Sequence, residues 1–230
     1  MHGRPDDVLA SVTRGYRALS RASSVMVDRI LDVETAHGVD LADLGLAAPD
    51  RVNYEAASWR DLRRVLRPSE VRRNDVFLDL GSGKGRIVLM AARYPFSRII
   101  GVELSESLTS IARRNVATCR LRLRCRNIEL VTADVLDYRI PDDVSFVYMF
   151  NPFRGAIFET VITQLIASVD RCPRAVRLIL RDGANHYRLL RSGRFELVRT
   201  SLGPRPTREW RGATAVRLYV LKPSRREDSA

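Results

Sequence analysis

Cysteine, histidine and long apolar runs are scarce in this sequence, and each scarcity excludes a class of protein. The 230 residues include three cysteines, Cys119, Cys125 and Cys172, and no C-x-x-C pair, so neither a disulfide framework nor a zinc knuckle is indicated. No histidine, cysteine or acidic residues are spaced like metal ligands, and we expect no metal. No apolar run approaches the roughly 18 residues of a membrane helix, and the first residues carry acids where a secretory signal is basic. We therefore expect a soluble cytoplasmic protein with no membrane partner.

Lysine is nearly absent, yet the chain is strongly basic. Only Lys84 and Lys222 are lysines, so 37 arginines supply almost all the positive charge behind a net charge of +12. Six arginines and no acid lie between residues 113 and 126, and twelve arginines lie between residues 171 and 217. Such an excess could dock RNA, an acidic protein or an anionic metabolite, or could be a solvated surface in an arginine-rich composition. No aromatic platform is interleaved with it, so no nucleic-acid site is predicted.

From residue 76 onward, short β-rich apolar runs alternate with helical patterns, which is typical of a doubly wound parallel α/β sheet. The last two predicted strands have no helix between them, which predicts a terminal antiparallel β-hairpin. Residues 1–75 are predicted to form a helical appendage or lid, with one or two amphipathic helices before residue 32 and another near residues 59–66. Residues 76–223 would form the main domain and residues 224–230 a tail. The predicted strands are 76–80, 98–103, 129–132, 144–150, 175–180, 195–200 and 215–221.

A glycine-rich turn, Asp79-x-Gly81-x-Gly83-x-Gly85, follows the first strand and opens a helix, a form that nucleotide sites use. The phosphate-binding P-loop is excluded, because the residue five before Gly83 is Leu78 and Gly85 follows Lys84. The dinucleotide fingerprint is weakened, because Arg86 stands where its third glycine belongs. A cofactor of another kind is therefore favoured over NAD.

Residues 76–221 resemble the class I, Rossmann-like, S-adenosylmethionine-dependent methyltransferase family. The resemblance rests on VFLDLGSGKG, GVELS, TADVLDY and YMFNPF, in this order and at predicted strand ends, and on the terminal strand pair. It implies a seven-stranded, mostly parallel sheet of order 3-2-1-4-5-7-6 and S-adenosylmethionine as cofactor. It does not identify the acceptor of the methyl group.

The resemblance also implies roles for residues at the strand ends. Asp79 would face the ammonium of the cofactor, Glu103 its ribose hydroxyls and Asp134 the exocyclic amine of adenine. Leu104 and Val135 would sandwich the adenine ring, while we expect Lys84 to face solvent. The glycine-rich turn would contribute Gly81, Ser82, Gly83 and Gly85, whose small size lets the backbone approach the methionine part.

Asn151-Pro152-Phe153, after the fourth strand, resembles the [ND]-P-P-[YF] signature of amine-directed methyltransferases, with one proline fewer. The resemblance implies catalytic positioning: the Asn151 oxygen and a backbone carbonyl accept the target N–H groups, Phe153 packs against the target, and Asn151 also borders the cofactor. Tyr148, on the same strand, is expected in the core. Asn-Pro is also an ordinary turn at a strand end.

Four further residues are candidates for substrate binding because they flank the predicted carboxyl edge of the sheet. Tyr54 and Trp59 precede the first strand, where such enzymes often place a lid. Asp182 and His186 follow the fifth strand. His186 is also a candidate general base, although no orienting partner is evident from the sequence.

The sequence thus predicts an S-adenosylmethionine-dependent methyltransferase that acts by in-line transfer. The chain loosely resembles bacterial relatives of non-SET-domain protein lysine methyltransferases, which makes a protein lysine amine the first acceptor to consider. A small metabolite or natural product and ribosomal RNA are the alternatives. A non-catalytic, arginine-rich interaction module that only retains the cofactor-binding fold is an alternative of another class.

Overall fold

A seven-stranded sheet organises the chain in the computed structural model, which describes residues 5–181, 185–203 and 215–224. Its order is β3-β2-β1-β4-β5-β7-β6, with β1 to β5 parallel and β7 antiparallel to both of its neighbours. The predicted order and terminal hairpin are confirmed. The strands are β1 (Val76–Leu80), β2 (Arg98–Glu103), β3 (Ile128–Thr132), β4 (Val144–Met149), β5 (Val176–Leu180), β6 (Phe195–Ser201) and β7 (Val216–Leu221).

Helices cover both faces of this sheet, which explains why its central strands are continuous apolar runs. Every residue of β1 is buried, whereas β3, at the edge, has none that is fully buried. One core cluster packs α5 against the sheet, and a second packs α2 and α3 against the opposite face. The helices are α1 (Pro5–Leu31), α2 (Asp61–Val65), α3 (Arg86–Ala91), α4 (Glu106–Thr118), α5 (Gly155–Arg171) and α6 (His186–Arg191).

The amino-terminal region departs in detail from the sequence prediction. A single helix, α1, spans the first amphipathic segment, and the helix predicted near residues 59–66 shortens to the five residues of α2. Arg67 and Pro68 end it, because proline disfavours helical backbone in the residue before it. Within the described residues, no helix combines the length and the apolar character needed to cross a bilayer.

Residues 33–57, which we call the strap, connect α1 to α2 and cross the carboxyl ends of β1 and β4. The strap is closed on itself by an antiparallel bridge between Val39 and Tyr54. It is pinned to the start of α5, where Asp50 accepts hydrogen bonds from the Arg154 and Ala156 amides at 2.8 and 3.0 Å. Gly155 lies between them at a φ of +48°, and a Cβ there would overlap the Asp50 carboxylate. Only glycine can adopt this positive φ without strain and also leave room for the Asp50 carboxylate.

Candidate active site

A cavity of about 530 Å³ opens between the strap and the carboxyl ends of β1, β2 and β4. This is the edge at which open α/β sheets bind ligands. Eleven of the residues singled out from the sequence border the cavity, although they come from segments as far apart as residues 54 and 153. They are Tyr54, Asp79, Gly81, Ser82, Glu103, Leu104, Asp134, Val135, Asn151, Pro152 and Phe153.

The glycine-rich turn is packed against protein as well as facing the cavity. Gly81, Gly83 and Gly85 all have positive φ values, of +78°, +52° and +81°. A Cβ on Gly83 would overlap the Tyr54 ring, and a Cβ on Gly81 would overlap Pro152. The glycines therefore let the strap and the 151–153 turn approach the loop, and Gly83 and Gly85 are not among the residues that line the cavity.

Lys84 does not face solvent, so that expectation from the sequence is wrong. Its side chain is 4% exposed, and its ammonium lies 3.2 Å from Glu34 and 5.8 Å from the centre of the Tyr54 ring. The strap supplies both partners and covers the lysine. Lys84 thus helps to hold the strap on the glycine-rich turn.

Two buried carboxyl groups, Asp79 and Glu103, form the floor of the cavity. Glu103 accepts hydrogen bonds from the Gly83 and Ser105 amides at 2.9 and 3.1 Å. The Asp79 Oδ2 atom has no hydrogen-bond partner among the described residues. Burial raises the pKa of both groups, and the Glu103 charge raises that of Asp79 further. A ligand that brings a cation to Asp79 and hydroxyl donors to Glu103 would offset this desolvation.

Asp134 has a partner that the sequence did not indicate. Its carboxylate accepts from Arg51 of the strap at 2.8 Å and from the Leu136 amide at 3.0 Å. Arg51 also forms a β-bridge with Phe153. Arg51 therefore joins the turns after β3 and β4, and it borders the cavity with Leu104 and Val135.

The turn after β4 has an unusual backbone. Asn151 adopts a φ of +42°, in the left-handed region that asparagine tolerates better than most residues. Phe153 is buried, and Phe150 is half-buried with the Arg181 guanidinium 4.0 Å above its ring. An asparagine and two phenylalanines of this turn, Phe150, Asn151 and Phe153, thus border the cavity.

The remaining candidates divide between the cavity and its surroundings. Tyr54 borders the cavity, donates its hydroxyl to the Thr35 carbonyl at 2.8 Å and has a pKa raised by burial. Trp59 is not among the lining residues and donates to Asp28 at 3.3 Å. His186 is also absent from the lining, and its Nδ1 lies 2.6 Å from the Tyr219 hydroxyl. Asp182 lies outside the described residues.

A buried ion pair between Asp28 and Arg86, which the sequence did not indicate, joins α1 to α3 and to the strap. Asp28, at the end of α1, accepts from the Thr35 and Ala36 amides at 2.5 and 2.7 Å and pairs with Arg86 at 3.1 Å. Arg86 also donates to the Thr35 hydroxyl and to the Ala57 carbonyl, both at 2.7 Å. Nothing in the sequence around Asp28, between Val27 and Arg29 on an amphipathic helix, distinguishes it from a surface acid.

Comparison with known proteins agrees with this geometry. Residues 77–175 match the model of a family described as a methyltransferase domain. The probable ribosomal RNA small subunit methyltransferase A of Methanopyrus kandleri is 33% identical over 135 residues, which cover 55% of this chain and 45% of that protein. The histone-lysine N-methyltransferase, H3 lysine-79 specific, of Drosophila melanogaster is 33% identical over 76 residues, or 29% of this chain and 4% of that one. The chain thus spans less than half the length of these curated relatives.

An RNA methyltransferase from Salinibacter ruber, solved with S-adenosyl-L-homocysteine, shares the fold with a TM-score of 0.50 at 20% identity, over 74% of this chain and 92% of that one. The family match, the sheet order and the residues at the strand ends agree with one another. Over residues 77–175 the chain matches a methyltransferase domain, and its sheet order is that of the class I S-adenosylmethionine-dependent methyltransferases, as the motifs predicted. Among the described residues, no group of three or more histidine, cysteine or acidic side chains is placed to hold a metal ion.

Proposed function

We propose that the protein transfers a methyl group from S-adenosylmethionine to an amine nitrogen held by the turn after β4. The observation that carries this proposal is the placement of Asn151, Pro152 and Phe153 at the cavity, beside the glycine-rich turn. Residues 76–223 would be the methyltransferase domain and residues 1–75 an appendage whose strap covers it. Residues 225–230 of the predicted tail lie outside the described residues.

The cavity suits the cofactor residue by residue. Asp79 would hold the ammonium and Glu103 the ribose hydroxyls, while Leu104 and Val135 would enclose the adenine. Asp134 would receive the adenine amine while Arg51 keeps its carboxylate in place. The glycine-rich turn would contact the methionine part through Gly81 and Ser82, which border the cavity. When bound, the cofactor supplies an activated methyl group on a sulfonium centre.

The acceptor nitrogen would be oriented by the turn after β4. Once the acceptor ammonium has lost a proton to solvent, the Asn151 side-chain oxygen and a neighbouring carbonyl can accept the N–H groups of the neutral amine, which directs its lone pair toward the methyl group. The N–C bond would form as the S–C bond breaks, which leaves S-adenosylhomocysteine and a methylated ammonium. Phe150 and Phe153 would exclude water and stabilise the positive charge that develops on the nitrogen. No group is required to form a covalent intermediate, because positioning supplies most of the rate.

The charge of the strap favours a cationic acceptor such as a lysine side chain. Whereas the chain carries a net +12, the strap contains five acids and one arginine. Four of these acids are exposed and Glu55 borders the cavity, so a positive group would be attracted to the opening. The histone-lysine methyltransferase relative is consistent with this choice. The acids are Glu34, Asp40, Asp43, Asp50 and Glu55.

Ribosomal RNA is the second candidate, and one surface favours it. The chain leading into β3 alternates exposed Arg120, Arg122, Arg124 and Arg126 with more buried residues, which concentrates positive charge in one short exposed segment. Arg120 pairs with Asp32, while the described residues provide no acidic partner for the other three. Phosphate groups of RNA would suit such a segment. The relatives from Methanopyrus kandleri and Salinibacter ruber carry names that refer to RNA.

Transfer of radiolabelled methyl groups tests the proposal and separates these acceptors. Purified protein is incubated with labelled S-adenosylmethionine and with lysine-rich peptides, ribosomal RNA or small-metabolite pools. We expect label in the peptides, and less of it at limiting cofactor concentration when Glu103 is replaced by alanine, because a lost charge-assisted hydrogen bond weakens cofactor binding by roughly 1–3 kcal/mol. Label in RNA alone would replace the amine assignment. Cofactor binding without transfer to any pool would favour the non-catalytic module.

Cofactor affinity should increase as the pH rises above the ordinary carboxyl values of 3.8 and 4.5, because both floor carboxyls have raised pKa values. The free protein retains protons on Asp79 and Glu103 that an ammonium ligand displaces, so binding releases protons. Without ligand, the same raised pKa values make the folded state lose stability as the pH rises through this range. Calorimetric titration with S-adenosylhomocysteine should show affinity rising by up to about tenfold per pH unit for each carboxyl that loses a proton. Asp79→Asn should reduce this dependence, and a pH-independent affinity in the unmodified protein would contradict the assignment.

A further inference from the structure

Tyr148 carries a buried hydroxyl whose function the sequence did not reveal. The residue is 1% exposed, as expected for the core, but it also borders the cavity. Its hydroxyl has no hydrogen-bond partner among the described residues. An unpaired buried hydroxyl is costly, so a ligand in the cavity is the natural source of its partner.

Asp79 carries a second buried oxygen of this kind. Tyr148 on β4 is the register partner of Asp79 on β1, and paired residues on adjacent strands project from the same face of a sheet. The Asp79 Oδ2 atom is also buried and without a partner in the described part of the chain. Two residues that each carry an unsatisfied buried oxygen therefore project from the same face of neighbouring strands, and both border the cavity.

Two other charged groups near Tyr148, Asp61 and Arg181, form an ion pair with each other, although the Arg181 Nε and Nη1 atoms have no hydrogen-bond partner among the described residues. Asp61 accepts from the Ser58 amide at 3.0 Å and from Arg64 at 3.1 Å, and its carboxylate lies 3.0 Å from Arg181. Arg181 in turn covers the Phe150 ring. Burial raises the pKa of Tyr148 well above its ordinary value, so the group stays a neutral hydroxyl.

We propose that the Tyr148 hydroxyl and the Asp79 carboxylate together bind the ammonium at the amino-acid end of the cofactor. This inference rests on the proposed function, which places S-adenosylmethionine in the cavity. An ammonium has three donors and no acceptor, and it can satisfy both oxygens at once. Tyr148 is thus a cofactor-binding residue, in addition to the carboxylates expected from the sequence.

Three ligands and one substitution test this assignment. Tyr148→Phe removes only the hydroxyl, and binding is measured by calorimetry with S-adenosylhomocysteine, with its decarboxylated analogue and with 5′-methylthioadenosine, which lacks the amino-acid end. We expect the substitution to weaken the first two ligands about tenfold and to leave the third unchanged, because only the first two carry the ammonium. The melting temperature should stay the same or rise, because the folded protein makes no hydrogen bond with this hydroxyl.

Tyr94→Phe is the matched control. Tyr94 is also buried, but it donates to the Leu66 carbonyl at 3.1 Å and does not line the cavity. Its substitution should lower the melting temperature without changing the affinity for any of the three ligands. This comparison separates a loss of binding from a loss of stability.

The outcomes distinguish the inference from the proposed function. Equal affinity of Tyr148→Phe and the unmodified protein for S-adenosylhomocysteine would overturn the inference alone. An equal loss of affinity for all three ligands would overturn it as well, because 5′-methylthioadenosine has no ammonium. A loss confined to S-adenosylhomocysteine would also overturn it, because the hydroxyl would then act on the carboxylate of the ligand and not on its ammonium. If the unmodified protein does not bind S-adenosylhomocysteine, the proposed function fails and the inference fails with it.

Discussion

Replacing Asn151 by glycine is expected to lower the rate of methyl transfer about a hundredfold, while stability is maintained. The substitution removes the amide oxygen that would orient the acceptor nitrogen, and misplacement of a reacting group costs on the order of 10²-fold in rate. Asn151 has a φ of +42°, a conformation that glycine adopts without strain. Turnover, melting temperature and affinity for S-adenosylhomocysteine measured on one preparation test this expectation.

Asn151→Ala provides the matched control for the backbone. It should lose the same activity and also destabilise the protein, because alanine at a positive φ is strained where glycine is not. Turnover of Asn151→Gly within a few fold of the unmodified protein would remove the side chain from the catalytic arrangement. The turn would then be an ordinary strand end.

Asp28→Ala is expected to lower the free energy of unfolding by about 3–5 kcal/mol, the largest stability effect that we predict. The substitution leaves the Arg86 guanidinium buried without its carboxylate and removes the acceptor of the Thr35 and Ala36 amides. Urea unfolding of the two proteins measures the difference. Because these contacts join α1, the strap and α3, affinity for the cofactor should fall as well.

Asp32→Asn is the control for the charge at the end of α1, because Asp32 has a φ of +57°, which asparagine tolerates better than alanine does. Asp32 pairs with Arg120 at 3.4 Å, but its side chain is 57% exposed, and exposed pairs contribute at most about 1 kcal/mol. Replacing both Asp28 and Arg86 by apolar residues should recover part of the stability, because no buried charge is then left unpaired. A loss below about 1 kcal/mol in Asp28→Ala would show that the network does not hold the strap.

The sheet could be predicted because its signals are local. The run from Val76 to Leu80 is apolar over a strand length and ends in glycine, and proline ends the helical pattern before β2. Ser105 precedes α4 as a residue type that favours the N-cap position, and its hydroxyl accepts from the Leu108 amide at 3.3 Å. Strand order followed from the family motifs.

The contacts of the strap could not be predicted, because they join residues far apart in the chain. Nothing adjacent to Arg51 indicates that it reaches Asp134, 83 residues later. Lys84 looked like a solvent-facing lysine in a loop, since its partner Glu34 lies 50 residues earlier. The orphan hydroxyl of Tyr148 is likewise visible only in three dimensions, because a tyrosine in an apolar strand has the same sequence pattern whether or not its oxygen is paired.

The cavity is lined by two different parts of the chain, the strand ends and the strap. The residues assigned to the cofactor lie at the ends of the strands, whereas much of the opposite wall comes from residues 41–57. On the proposed function, substitutions in this wall at positions other than Arg51 and Tyr54 would alter which acceptor enters while the sheet and the cofactor residues stay the same. New acceptor preferences in this architecture could then arise in one short connecting segment without changes in the hydrophobic core.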